Sequence, residues 1–290
     1  MYESLKILGG KILIKLVNKS LLFLMILVAI FTMTSCGDDI QIYTENGRSY
    51  LNFGRYPQTV VSDEKLIKKL EKITETNSLG YIEYKGEEYK RQVVDGKPYY
   101  FKVEPIKWRV LETANGSYKL LSECLLDTQQ FYASLYETII MSPNSYKYSN
   151  IRAWLNGYNG TSYGVEDYTN KGFIDIAFTE EEKAIIKTTL VEKNTNDRIY
   201  LLSVEEATNT IYGFDSDKYA KDSAREAKVT DYAIARFCHI DEGKGSWWLR
   251  SPEEDSHGFV RVVDVNGSAR ILSIVDARDG VRAVLEINYE

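Results

Sequence analysis

Three turn dipeptides constrain this chain more than any other feature. Lys85-Gly86, Asp95-Gly96 and Asn266-Gly267 each separate runs in which apolar and polar residues alternate. A two-residue hairpin turn needs positive φ at its centre, and glycine after Lys, Asp or Asn meets that need at little steric cost. Alternation with period two then places one face of each flanking strand toward a core. The pattern predicts hairpin strands from Tyr81 to Glu112, with Pro105 at an edge or a bulge because it has no amide proton to donate. It also predicts a terminal antiparallel meander: Gly258 to Val265, Ser268 to Val275, a turn over 276–280, and Val281 to Asn288. In that last strand Val281, Ala283, Leu285 and Ile287 should share one face, with Arg282, Glu286 and Asn288 on the other.

Helix signals lie between these strand regions. Ser62 to Thr76 carries acids in its first turn and a thin stripe of Leu66, Ile67, Leu70 and Ile73, which predicts a surface helix. Ser149 precedes a helix over Ile151 to Asn156 that Gly157 can end. Thr179 with Glu182, and Ser203 with Glu206, match the capping box, and Thr230 can cap Asp231 to Phe237. Tyr50 to Tyr56 reads as a short strand. Strands at both ends and helices in the middle predict an α+β fold.

The composition suits a packed core: 290 residues, 44% hydrophobic and 27% charged, with five prolines. Disordered and collagen-like classes are excluded. A net charge of −6 argues against a nucleic-acid partner, which would need clustered Lys and Arg.

Residues 1–35 form a separate segment. Lys6, Lys11, Lys15 and Lys19 precede an unbroken apolar run from Leu21 to Phe31. That run is shorter than the roughly 18–20 residues a spanning helix needs, and it fits the core of a secretory signal. Extending it back to Ile12 would bury Lys15 and Lys19, each costing about 2.5–3.5 kcal/mol at a helix centre. The segment ends in Met33-Thr34-Ser35-Cys36-Gly37, which resembles the lipobox of bacterial lipoproteins. That resemblance implies acylation of Cys36 and a lipid anchor in a membrane of the bacterial cell envelope. Losing 1–35 removes four lysines and Glu3, taking the charge from −6 to −9. A basic patch cannot then hold the chain at an anionic surface. The resulting organisation is a signal peptide over 1–35, a polar tether over 36–49, and one domain over 50–290. Cys124 and Cys238 remain, either as a disulfide or as two buried free thiols; their apolar contexts favour the thiols.

Several segments in order resemble a bacterial exported family of unknown function. They are residues 51–58 (LNFGRYPQ), 105–111 (PIKWRVL), 151–156 (IRAWLN), 177–182 (AFTEEE), 199–207 (IYLLSVEEA), 247–252 (WWLRSP) and 280–282 (GVR). The family usually continues G-V-R-P-A-L, whereas Ala283-Val284-Leu285 follows Arg282 in this chain. A looser similarity is to the C-type-lectin-like fold, in the branch holding formylglycine-generating enzymes. It implies a twisted antiparallel sheet with flanking helices and long loops. Those enzymes use a close cysteine pair, and Cys124 and Cys238 are far apart in sequence. Calcium-binding lectins use a Glu-Pro-Asn or Gln-Pro-Asp loop, and here Ile106 follows Glu104-Pro105. Calcium-dependent sugar binding is not expected, and Glu253-Glu254-Asp255 reads as a solvated acidic loop.

Candidate site residues follow from residue type. Trp247 and Trp248 are adjacent, so on a strand they point to opposite faces. Either Trp248 is a ligand platform beside Arg250, or both tryptophans are structural and Arg250 is ion-paired or stacked on an aromatic ring. Trp108, Trp154, Trp247 and Arg282 read as frame residues. Tyr146, Tyr148, Tyr158, Tyr163 and Tyr168 lie in a stretch rich in Asn, Ser and Gly, a mixture suited to a binding face. The same rings could simply pack beneath long loops. Gly160 to Gly164 matches G-x-S-x-G, but loop-like sequence flanks it where a nucleophile elbow needs a strand and a helix. Neither histidine, His239 or His257, belongs to a metal-ligand spacing. No metal, cofactor or catalytic set is expected. The expected function is non-catalytic binding of a protein or glycan by an anchored lipoprotein, with a glycan-acting envelope enzyme or a structural envelope component as alternatives.

Overall fold

The computed structural model describes residues 40–132, 142–269, 271–275 and 277–289. The leader, the apolar run and Cys36 lie outside the described residues. Strands dominate, and they form two main sheets in a mixed α and β architecture.

The first sheet is built around one long strand, Lys97–Ala114. One edge pairs with Arg48–Val60, and the other pairs with Glu87–Val94 and then with Ser117–Ser122. Val284–Asn288 and Ile199–Tyr200 extend the sheet beyond Ser117–Ser122. Lys85, Gly86, Asp95 and Gly96 all have positive φ, so both expected hairpins form. Two further Asn-Gly turns, Asn46-Gly47 and Asn115-Gly116, have the same geometry. The first converts part of the expected tether into a strand, Tyr43–Glu45, paired with Arg48 to Tyr50.

Pro105 sits opposite Arg55, where the register shifts between Asn52 and Arg55. Gly54 lies inside that bulge at φ +65°, and a Cβ there would stand 2.4 Å from the Phe178 ring. The helix expected over Ser62 to Thr76 is shorter, Glu64–Leu70, with Asp63 accepting from the Lys65 amide at its N-cap. Its stripe covers a small cluster of Val61, Leu70, Ile82, Tyr89 and Tyr100.

The second sheet has the order Ile271–Ile274, Phe259–Val263, Trp247–Pro252, Arg278–Val281 and Asp127–Gln130. It is not the expected all-antiparallel meander, because Arg278–Val281 runs parallel to Trp247–Pro252. The segment expected as a turn over 276–280 is therefore largely strand. The segment expected as one strand over 281–288 divides at Arg282-Ala283, with Val281 in the second sheet and Val284 in the first. A second crossing, Glu123 to Leu126, runs beside it, with Ser122 N donating to Ala283 O at 2.9 Å and Leu126 N to Val281 O at 3.1 Å. Sheet changes at paired crossings leave both faces of these strands covered.

Buried arginines seal the region between the sheets. Arg282 is fully buried over Trp247, with Nε donating to Ser122 O at 2.9 Å and Nη1 to Arg225 O at 3.0 Å. Burial, with Arg109 close by, pushes Arg282 down to about 9, against the pull of Glu123. Arg225 is also fully buried, and its guanidinium donates to the carbonyls of Gly267, Ala207, Asp215, Asp217 and Ala220.

Arg250 forms a third clamp, donating to Leu201 O at 2.5 Å and to Glu206, the capping-box residue of helix Val204–Ala207. Desolvation raises the Glu206 pKa, but Arg250, Lys119 and the Ser203 amide outweigh it and leave the carboxyl below its ordinary range. A depressed folded pKa contributes stability that is present above the ordinary carboxylate pKa and lost as pH falls through the folded value. Glu206→Gln should therefore lose about 2 kcal/mol near neutrality. The gap from the unmodified chain should close as pH falls from 5 toward 3, read by urea denaturation at each pH. A gap that stays constant with pH would contradict this account.

Candidate functional site

One cleft among the described residues that suits a polar ligand lies at the Asp127–Gln130 edge of the second sheet, with a volume of about 350 Å³. This lies within the roughly 300–1,000 Å³ typical of small-molecule sites. Three local structures build it. The edge strand supplies Gln129 and Gln130, held by pairing with Asp279 and Arg278. Helix Asn150–Asn156, capped by Ser149 and ended by Gly157 at φ +66°, supplies Asn150 and Trp154. These two are four residues apart and so share one helix face. The segment around the Asn159–Asp167 bridge supplies Glu166, just before Asp167, and Tyr168 and Lys171 after it.

Arg236, which follows helix Asp231–Ala235, lines the cleft and is held in place by Asp127. Asp127 is buried and accepts from Arg236 Nε at 2.5 Å, from Tyr56 Oη at 2.6 Å and from the Thr128 amide at 2.7 Å. The Asp127 charge holds Arg236 above its ordinary range, while burial and then Asp127 hold the Tyr56 phenol well above its own. The guanidinium is thus a fixed cation and the phenol a fixed donor at neutral pH.

The front of the cleft is less committed. Lys171 pairs with Glu166 at 2.7 Å on the exposed lip. Arg278 is exposed and has no partner among the described residues. Tyr168 Oη donates to Asn150 Oδ1 at 3.1 Å, and burial raises the Tyr168 pKa. The Gln129 side-chain amide, in a residue only 7% exposed, makes no hydrogen bond to a described residue, and neither does Asn150 Nδ2, in one 6% exposed. Both groups open onto the cleft, where a bound molecule can accept from them or donate to the Gln129 oxygen. With Arg236 balanced by Asp127 and Lys171 by Glu166, Arg278 leaves the cleft with an excess of one positive charge.

Of the residues expected to form a binding face, Tyr168 lines this cleft. Tyr146 is 1% exposed and packs near Phe131, so it cannot present a surface. Tyr148 and Tyr163 meet edge to face, 5.4 Å apart, away from the cleft lining. Tyr158 lies under the Arg152 guanidinium beside Asp197, which Arg152 grips through both carboxylate oxygens. Trp248 is fully buried, with Nε1 donating to Gln129 O at 2.8 Å, so it supports the cleft strand from inside rather than forming a platform. Arg250 is buried and ion-paired, 5.7 Å over the Tyr200 ring, which removes it from any binding surface. The second sheet is covered on both faces, so adjacency along a strand does not expose either tryptophan.

Trp108 and Trp247 are fully buried with their indole N–H groups on the carbonyls of Phe53 and Arg225. Trp154, read as a frame residue, also lines the cleft. Cys124 and Cys238 are free thiols, and burial pushes Cys238 up to about 12, far from a reactive thiolate. The G-x-S-x-G stretch is a single 3₁₀ turn, Thr161–Tyr163. Glu253 pairs with Arg261 at 2.5 Å, and the loop after it is tied down by Asn144 through three carbonyls. No group of three or more His, Cys, Asp or Glu among the described residues is placed to hold a metal, and no described helix is long and apolar enough to cross a membrane.

Sequence reasoning missed Gln129, Asn150, Arg236 and Arg278. None stands in a recognisable motif, and they meet only because a strand crossing and two loops converge.

These features define a mixed α and β domain, sealed by buried arginines and carrying a cation-edged cleft. A family model, a domain of unknown function (DUF6273), matches residues 115–289, and the chain belongs to that family. All nine residues lining the cleft fall inside the match, whereas the segments 51–58 and 105–111 lie before it. No curated protein and no solved structure matches the chain.

Proposed function

We propose that this chain is an exported bacterial lipoprotein, anchored through Cys36, whose domain binds a ligand without transforming it. The observation that carries the binding half is a polar cleft onto which the Gln129 side-chain amide and Asn150 Nδ2 open with no hydrogen-bond partner among the described residues. The anchoring half rests on the short apolar run and the lipobox-like residues before Cys36. A lectin-like domain suits this role, and the order of the LLSVEEA, WWLRSP and GVR segments supports that relation. A glycan-acting enzyme would need two carboxyl groups roughly 5–9.5 Å apart across its cleft. The lining of this cleft holds one carboxylate, Glu166.

Two measurements test the reading. Cells producing the chain should incorporate labelled palmitate into it, and Cys36→Ala should abolish the label and release the protein from membranes. Persistent membrane association of the unlabelled variant would refute the anchor. For the cleft, side-chain amide resonances of Gln129 and Asn150 should shift when soluble envelope glycan fragments are added. Saturating shifts confined to another face would refute the assigned site, and release of a cleaved product would refute non-catalytic binding.

A further inference from the structure

The charge and the hydrogen-bonding character of the cleft together narrow what it takes. We propose that it binds a carboxylate-bearing sugar, with Arg278 facing the carboxylate and the Gln129 and Asn150 amides facing hydroxyls. This rests on the reading of the cleft as a binding site and adds the ligand class.

Three observations lead there. Arg278 is the cleft cation without a protein partner among the described residues, and a planar guanidinium matches a carboxylate through two parallel hydrogen bonds. Arg236 cannot take that role alone, since Asp127 already occupies its Nε. A ligand that was only an anion would need donors alone. This cleft also holds acceptors, the Glu166 carboxylate and the oxygen of the Gln129 amide, so the ligand must donate as well as accept. Hydroxyl groups do both. Glu166 at the lip can accept from a sugar hydroxyl. Trp154 and Tyr168 add aromatic surface, which suits the C–H faces of a sugar ring. The whole chain is acidic, with a formal charge of −6, so binding an anion depends on this local excess of positive charge and not on a general field.

The test is calorimetric titration of the full chain at low ionic strength with trimers of galacturonate, glucuronate and mannuronate, the matching neutral trimers, and hexaglutamate. At least one acidic trimer should bind, its neutral counterpart at least about tenfold more weakly, and hexaglutamate more weakly still. Arg278→Gln, an exposed change that removes no internal contact, should weaken the acidic trimer at least about tenfold and leave the neutral trimer unchanged. Equal affinity for acidic and neutral trimers, or indifference to Arg278→Gln, would overturn the ligand class while leaving a sugar-binding cleft intact. Tighter binding of hexaglutamate than of every trimer would overturn it in favour of an acidic peptide. No heat with any probe would overturn the binding reading as well.

Discussion

Arg225→Ala should cost about 3–5 kcal/mol of folding stability, and at the upper end leave the chain unfolded at 37 °C. A guanidinium has five N–H donors, and here five backbone carbonyls accept from it: Gly267, Ala207, Asp215, Asp217 and Ala220. These carbonyls come from several loops, so one side chain fixes their mutual positions. Removing it leaves a cavity and a cluster of desolvated acceptors with nothing to bond. The Arg225 backbone carbonyl in turn accepts from Trp247 Nε1 and Arg282 Nη1, so disorder would spread to the sheet junction. Arg225→Lys keeps the charge but offers three donors in a different geometry, and it should still lose at least about 2 kcal/mol. Urea denaturation monitored by tryptophan fluorescence reads both variants. A loss below about 1 kcal/mol in the alanine variant would mean that water reaches these carbonyls and the residue is not their principal partner.

The second large effect is expected at Asp127. Its carboxylate is 2% exposed and binds Arg236, Tyr56 and the Thr128 amide at once. Asp127→Ala strands a partly buried guanidinium and a fully buried phenol, for which a loss of about 3–5 kcal/mol is expected. Asp127→Asn keeps the shape and can still accept from Tyr56, so its loss should be smaller, about 1–3 kcal/mol. The two variants should differ in a second way. The asparagine form unmasks the Arg236 charge at the cleft and should bind an acidic trimer more tightly than the unmodified chain. Thermal unfolding and the same titration measure both effects; equal stability of the two variants would deny the carboxylate its bridging role.

Much of the local structure was legible because it is decided within a few residues. Lys85-Gly86 and Asp95-Gly96 form their hairpins, and Ser149, Thr179, Ser203 and Thr230 all cap helices. In each case a side chain or a missing Cβ acts on its own neighbourhood, so no distant partner is needed. Asn46-Gly47 carried the same signal and extends the sheet into a segment whose polarity suggested a tether. The Asn266-Gly267 turn is wider than a two-residue hairpin, because Asp264 accepts from the amides of Asn266 and Ser268 and opens the loop.

The cleft was far less legible. Tyr168 could be picked out by composition, but its neighbours arrive from the edge strand, the capped helix and the residue after another helix. The face taken by Trp248 and the depth of Arg250 were likewise beyond alternation rules, which assume one covered face and one open face.

What the sequence determined by itself was therefore a set of elements and their ends: turns, caps and period-two strands, each governed by interactions across four residues or fewer. Tertiary structure alone decided that the chain changes sheets at Arg282-Ala283, that four arginines lie buried among carbonyls and acids, and that Gln129, Asn150 and Arg278 face one cleft. The physical reason is range. Backbone sterics and capping act locally, whereas the burial of a charge depends on acceptors brought from a hundred residues away, as Arg109 reaching Ala224 O at 2.7 Å illustrates.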